Sequence, residues 1–144
     1  MRFRSTQILD DDFPRLRHEF DSSLTRLLET LPKIVCLCGS TRFYEEFQRA
    51  NFRETMAGNI VLTVGFYPHN QFWELNYQGH GEDVGVTPEE KIALDELHKR
   101  KIDLADEILV LNVGGHIGDS TRSEIAYAQA NGKPVRWLEP TRNL

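Results

Sequence analysis

Two short stretches of this 144-residue chain combine glycine, hydroxyl and charged residues in the way a loop that binds anions or sugars requires. The first is Cys38-Gly39-Ser40-Thr41-Arg42. Glycine lets a backbone approach a ligand, amides at a helix start attract an anion, and Arg42 can pair with phosphate. The plainer reading is a strand-to-helix turn in which Ser40 or Thr41 caps the helix. The motif alone supports both readings equally.

The second stretch is Gly114-Gly115-His116-Ile117-Gly118-Asp119-Ser120-Thr121-Arg122-Ser123-Glu124. Three glycines, hydroxyl residues and a carboxylate gather where a strand meets a helix, with Glu124 expected in that helix's first turn. A glutamate there could attack an anomeric carbon while the helix N-terminus holds a phosphate or a ribose hydroxyl. Thr121-x-x-Glu124 also has capping-box spacing, in which the glutamate merely satisfies a backbone amide. Spacing favours the cap. The glycines upstream, which a cap does not need, favour the site.

Two further groups stand out. Phe66, Tyr67, His69, Phe72, Trp73, Tyr77 and His80 make an aromatic stretch without clear period. Phe66, Tyr67 and Trp73 could stack a base or form a lid; equally, the rings could pack the core rim or a subunit interface. His98-Lys99-Arg100-Lys101 is a basic knot, whose commonest explanation is a solvated helix end favourable to the helix dipole.

The elements that must position these residues follow from periodicity. Phe13, Leu16, Phe20, Leu24, Leu27 and Leu31 recur at helical spacing and predict an amphipathic N-terminal helix ended by Pro32. The apolar run over 33–38 predicts a strand buried on both faces. A helix over about 43–57, a strand over 60–64, a helix from Thr87 to about Leu104 and a strand over 107–112 follow. Thr87-Pro88-Glu89-Glu90 has a threonine cap, proline in the first turn and glutamate at the capping-box position. A helix over about 121–130 and a short strand over 134–138 complete the chain. Alternating strands and helices imply a doubly wound parallel α/β sheet, here in order 2-1-3-4, with ligands expected at the strands' carboxyl ends.

Bulk properties bound the rest. The chain is 40% hydrophobic and 27% charged, which suits one ordinary domain over 1–144, with 1–32 a helical extension and 33–138 the core. A net charge of −5 argues against duplex nucleic acid and anionic membrane as partners. No apolar run is long enough to span a membrane, and the N-terminus lacks a secretory signal's apolar stretch. Cys36 and Cys38, the only cysteines, share a strand face but are too far apart for a relaxed bridge, which fits a reduced cytoplasmic setting. Two thiols without a matching pair elsewhere make a weak metal site, so no metal and no cofactor is expected.

At the two loops the sequence resembles the superfamily of nucleoside 2-deoxyribosyltransferases and related nucleotide N-glycosidases. Carrying the resemblance are Cys38-Gly39-Ser40-Thr41-Arg42, the lead-in Ala105-Asp106-Glu107, and Ser120-Thr121-Arg122-Ser123-Glu124 followed by Ala126 and Ala128. It covers roughly 33–138. It implies a flavodoxin-like fold, a homodimer or higher homo-oligomer, and Glu124 as nucleophile at C1′. The glycosyl ester would pass to water or to another base, so the enzyme would be a hydrolase or a transferase. Gly39 to Arg42 would touch sugar or phosphate; Gly114, Gly115, Gly118, Asp119, Ser120 and Thr121 would line the second side. Where the superfamily usually has an aspartate that aids base protonation, this chain has His98, with Asp95 one turn earlier and Asp103 one turn later. The segment 98–124 is also similar to cytokinin-activating nucleotide phosphoribohydrolases, through Arg100-Lys101 and the glycine loop. The implied substrate is a small nucleoside or nucleoside monophosphate. Competing readings are a non-catalytic nucleotide sensor and an NAD-cleaving relative.

Overall fold

The computed structural model describes residues 12–68 and 87–141. The chain divides into two units, Met1–Pro32 and Lys33–Leu144. The described part of the first is α1, Asp12–Thr30. Its apolar residues recur at three- and four-residue intervals, none is buried, and Phe13 and Phe20 are 63% and 67% exposed.

The second unit is built on β1 (Ile34–Cys38), α2 (Tyr44–Met56), β2 (Ile60–Leu62), α3 (Pro88–Leu104), β3 (Glu107–Val110), α4 (Asp119–Ala130) and β4 (Val135–Trp137). All pairings are parallel and the order is β2-β1-β3-β4, as the alternation predicts. Among the described helices none is long and apolar enough to cross a membrane.

Alternation along the central strands divides the core into two layers. Val35 and Leu37 of β1 and Leu109 pack with Leu111, Phe47 and Ala50 on the α2 side. Cys36 and Cys38, with Ile108 and Val110, pack against Ile102 of α3 and Ala128 of α4. A strand buried on both faces has no polar alternation to show, which is why β1 reads as one apolar run. Burying each large side chain, such as Phe47 or Leu37, contributes about 1.5–3 kcal/mol.

Strand order also locates the crevice. The chain leaves β1 toward β2 on one side, then crosses to β3 on the other, so the loops after β1 and β3 diverge. Their carboxyl ends are level: Cys38 pairs with Val110, and the Leu111 amide donates to the Cys38 carbonyl at 2.8 Å. Beside this point Gly39 has a packing reason as well as a binding one. A Cβ there would stand 3.1 Å from Leu111 Cβ and 3.5 Å from the Phe47 ring.

Candidate functional site

The two divergent loops and α3 enclose a cleft of about 480 Å³. Gly39, Ser40, Thr41 and Arg42 form one wall; Gly118, Asp119, Ser120 and Thr121 form another; Asp95 and His98 come from α3, and Glu124 reaches in from α4. A larger hollow of about 670 Å³ beside α2, lined by Arg49, Phe52 and Arg53 among others, gathers no buried titratable group. The cleft does.

Neither helix start at the cleft is capped by a side chain. The α2 cap residue is Phe43, and Ser40 Oγ accepts from Arg42 Nε at 3.1 Å instead of capping. The α4 cap residue is Gly118. Helix α4 therefore starts at Asp119, two residues before its expected start, and Glu124 lies in the second turn. This corrects the first-turn placement, and no capping box forms between Thr121 and Glu124. The capping box read at Thr87 and Glu90 does form, with both hydrogen bonds present.

Glu124 is 6% exposed, and its Oε2 has no hydrogen-bond partner. Burial pushes its carboxyl up to about 7, against the opposing pull of His98 and of a hydrogen bond from Cys38. His98 is 5% exposed; its Nε2 lies 4.0 Å from Glu124 Oε2 and its Nδ1 is buried without a partner. That same Nε2 lies 3.6 Å from Cys36 Sγ and 3.5 Å from Cys38 Sγ. Burial disfavours the imidazolium, but the neighbouring Cys36 and Glu124 raise the His98 pKa. Cys36 is lowered by its hydrogen bonds with Cys38 and His98, and Cys38 is pushed up by the same Cys36 contact and by burial. Both thiols are free, without a disulfide.

At the mouth, Lys91 Nζ donates to Ser120 Oγ at 2.6 Å and to Asp95 Oδ2 at 2.8 Å. Ser120 Oγ also donates to Asp95 at 3.3 Å. Lys101 Nζ donates to the Thr63 carbonyl at 2.6 Å, and His116 packs edge-on against Phe43. Lys91, Lys101 and His116 all line the cleft; the sequence marked Lys101 only in the basic knot and the Arg100-Lys101 dipeptide and His116 only as part of the glycine loop, and Lys91 not at all. The signal for the lysines lay in helical spacing: 91, 95, 98 and 101 share one face of α3.

Several expected site residues lie elsewhere. Gly114 and Gly115 form a turn at φ of 59° and 78° and line a separate hollow with Asn112 and Glu139. Gly114 N donates to Glu139 Oε1 at 3.2 Å. Phe66 lines the cleft, whereas Tyr67 packs edge-on against Tyr44 and Phe47 and bonds Thr63. Trp73 lies outside the described residues, as do His69, Phe72, Tyr77 and His80. The basic knot divides: His98 is buried, Lys101 enters the cleft, Lys99 pairs with Glu96, and Arg100 turns to Tyr127 and Asp103. Asp103 accepts from Tyr127 Oη at 2.6 Å and does not line the cleft.

A third ligand-type side chain, His98, stands beside the two thiols, which counting cysteines along the sequence did not reveal. Cys36, Cys38 and His98 place donor atoms within 4.8 Å of one another. No protein-family model, no curated protein and no solved structure matches the chain.

Proposed function

We propose that this protein cleaves or transfers at the N-glycosidic bond of a nucleoside or nucleoside monophosphate, as a member of the nucleoside 2-deoxyribosyltransferase-like superfamily. One observation carries the reading. A buried carboxylate with an unpartnered oxygen, Glu124, lines a cleft at the switch in strand order, beside two helix starts without side-chain caps. In this mechanism a Glu124 oxygen bonds to C1′ as the C1′–N bond breaks, and the bonding pair leaves with the base. The base nitrogen takes a proton from the α3 wall, where Asp95 and His98 stand among the cleft residues together with Lys91 and Lys101. Water, or another base, then attacks the glycosyl ester and frees the carboxylate.

The cations at the mouth suit a phosphate. Arg42, Lys91 and Lys101 line the cleft of a chain whose net charge is −5. Phe66 offers a ring for stacking. The free thiols favour a reducing, cytoplasmic setting, and the apolar stripe of α1 favours self-association. A second reading, a nucleotide sensor without turnover, draws on His98: its Nε2 faces two thiols and Glu124, so it is better placed to act on Glu124 than on a base.

The test is incubation with a panel of nucleosides and nucleoside monophosphates, followed by chromatography for free base. The wild type is expected to release base from at least one, and Glu124→Gln from none. Tight binding of a nucleotide with no base released from any would establish the sensor instead.

A further inference from the structure

We propose that Cys36, Cys38 and His98 form a buried site for a thiophilic divalent cation of the zinc class, with Glu124 as its fourth ligand. The four residues come from three elements of the core. Cys36 and Cys38 lie two apart on β1 and so point to one face of the central strand. His98 descends from α3 and Glu124 from α4, on the face those helices cover.

The two nitrogen–sulfur distances are those of a tetrahedral site. Zinc bonds of about 2.3 Å to sulfur and about 2.0–2.1 Å to nitrogen, opened to a tetrahedral angle, place sulfur and nitrogen about 3.6 Å apart. The observed distances from His98 Nε2 are 3.6 Å to Cys36 and 3.5 Å to Cys38. Glu124 Oε2 stands 4.0 Å from the same nitrogen but outside the trio whose donor atoms lie within 4.8 Å of one another, so its side chain must swing inward to take the fourth position.

Packing alone accounts for two thiols against an imidazole, since buried cysteine behaves as a small hydrophobe. It does not account for a carboxylate oxygen beside them, 4.0 Å from the imidazole and without a hydrogen-bond partner, on a residue 6% exposed. A cation satisfies that oxygen.

Donor chemistry selects the ion. Thiolate and imidazole ligands suit zinc and its soft congeners, whereas magnesium and calcium need oxygen cages. Binding releases to solvent the protons that the two thiols and the Glu124 carboxyl carry. Two thiolates, a carboxylate and a neutral imidazole around a divalent ion leave one negative charge. The Lys101 ammonium, held on the Thr63 carbonyl in the same cleft, lies close enough to act on Cys36 and His98 and offsets it. His98 and Glu124 both line the cleft, which gives the ion its way in. Cation binding also withdraws Glu124 from C1′, so metal occupancy and the proposed glycosidic chemistry exclude each other.

The test is titration of the reduced, metal-stripped full chain with Co²⁺ alone, followed by Zn²⁺. Thiolate-to-cobalt charge-transfer bands and tetrahedral visible bands are expected to saturate at one equivalent and to vanish on adding Zn²⁺. X-ray absorption of the zinc form is expected to count two sulfur ligands. Cys36→Ala and His98→Gln are expected to lower Co²⁺ affinity at least a hundredfold, and Glu124→Gln at least tenfold with the thiolate bands retained. Absence of charge-transfer bands in the wild type overturns the proposal, as does a sulfur count other than two. Both measurements use the wild type, so they decide even if the cysteine variants fail to fold. Neither depends on turnover: a protein that binds Co²⁺ in this way but releases no base upholds the metal site and removes only the enzyme reading.

Discussion

Glu124 Oε2 and His98 Nε2 face each other at 4.0 Å, one on each of two helices, with both side chains almost sealed from water. The pair joins the sheet's thiol-lined face to the cleft, because His98 also contacts Cys36 and Cys38 while Glu124 lines the cleft. A buried carboxylate with one oxygen lacking a hydrogen-bond donor is poorly solvated at that oxygen and correspondingly reactive toward an electrophilic carbon.

Glu124→Gln keeps the side chain's shape and replaces one unpartnered polar atom with another. Its melting temperature is therefore expected to stay within a few degrees of wild type, a change of about 1 kcal/mol or less. Base release is expected to fall by on the order of a thousandfold or more, with nucleotide affinity within about tenfold, since a nucleophile acts in the transition state. Calorimetry and single-turnover chromatography on one preparation separate the two effects. Full turnover per folded molecule would remove the covalent mechanism.

Lys91 joins Asp95 and Ser120 at the mouth, where an incoming phosphate would meet an ammonium group already oriented by two oxygens. Lys91→Ala is expected to weaken binding of a nucleoside monophosphate by about tenfold or more, the worth of a charge-assisted hydrogen bond. Binding of the matching nucleoside should change by less than about threefold, because no phosphate contact is lost. Isothermal titration with the two ligands measures the difference. Equal losses for both would place the phosphate elsewhere.

Gly39 and Gly114 are both expected at the site from the sequence, and the structure distinguishes them. Gly39→Ala would press a methyl to 3.1 Å from Leu111 Cβ, in the packed core beside Phe47, and is expected to destabilise the fold by about 1–3 kcal/mol. Gly114→Ala meets no atom within 4 Å but forces alanine to φ of 59°, which costs about 1–2 kcal/mol. Because Gly114 lies outside the cleft, nucleotide affinity should be unchanged in the folded fraction. Chemical denaturation and ligand titration check both variants.

Much of the architecture was legible because it is written in local pattern. Val35 to Cys38 is apolar throughout since both faces of β1 are covered, and Thr87, Pro88 and Glu90 mark a helix start through contacts no more than three residues apart. The site was legible in part. Ser40, Arg42 and Glu124 could be assigned to one cleft because strand carboxyl ends lie level in a parallel sheet. The Thr121 and Glu124 spacing misled, since it is compatible with a cap only if the cap residue is Thr121 rather than Gly118, three residues earlier in the chain. The contact of His98 with the thiols spans 60 and 62 residues and depends on how α3 lies across β1, which no local pattern records. Gly114 and Gly115 are a glycine signal with a conformational origin, their positive φ, and they serve a turn.

Helix α1 presents Phe13, Leu16, Phe20, Leu24 and Leu27 along a stripe with no buried residue. Exposed apolar surface of this kind is costly in water and is relieved by association. The protein is expected to be a homodimer or larger in solution, and Phe20→Glu to shift it toward monomer. Light scattering at high micromolar concentration reads both. A monomeric wild type would assign the stripe another role.

Away from the cleft, Arg136 on β4 donates to Glu54 of α2 at 2.8 and 3.0 Å and to Glu107 of β3 at 2.6 Å. This arginine hydrogen-bonds Glu54 and holds its carboxyl below the ordinary range, helped by Asn59 and opposed by burial. When a carboxyl's pKa is lower in the folded state, acid protonates the unfolded chain first, so stability falls with pH. The contribution of Glu54 should be complete above the ordinary carboxylate value of about 4.3 and disappear as pH falls through its lower folded value. Melting temperatures of wild type and Glu54→Gln, followed from about pH 6 down to about pH 3, are expected to converge on acidification. The wild type should be the more stable at the neutral end, because glutamine keeps one acceptor for Arg136 but no charge. Arg136→Ala leaves Glu54 and Glu107 without their shared cation, and at neutral pH it should destabilise the protein by about 1–3 kcal/mol. That deficit should shrink in acid as Glu54 takes up a proton. A deficit independent of pH would mean that Arg136 acts through packing of its stem rather than through charge.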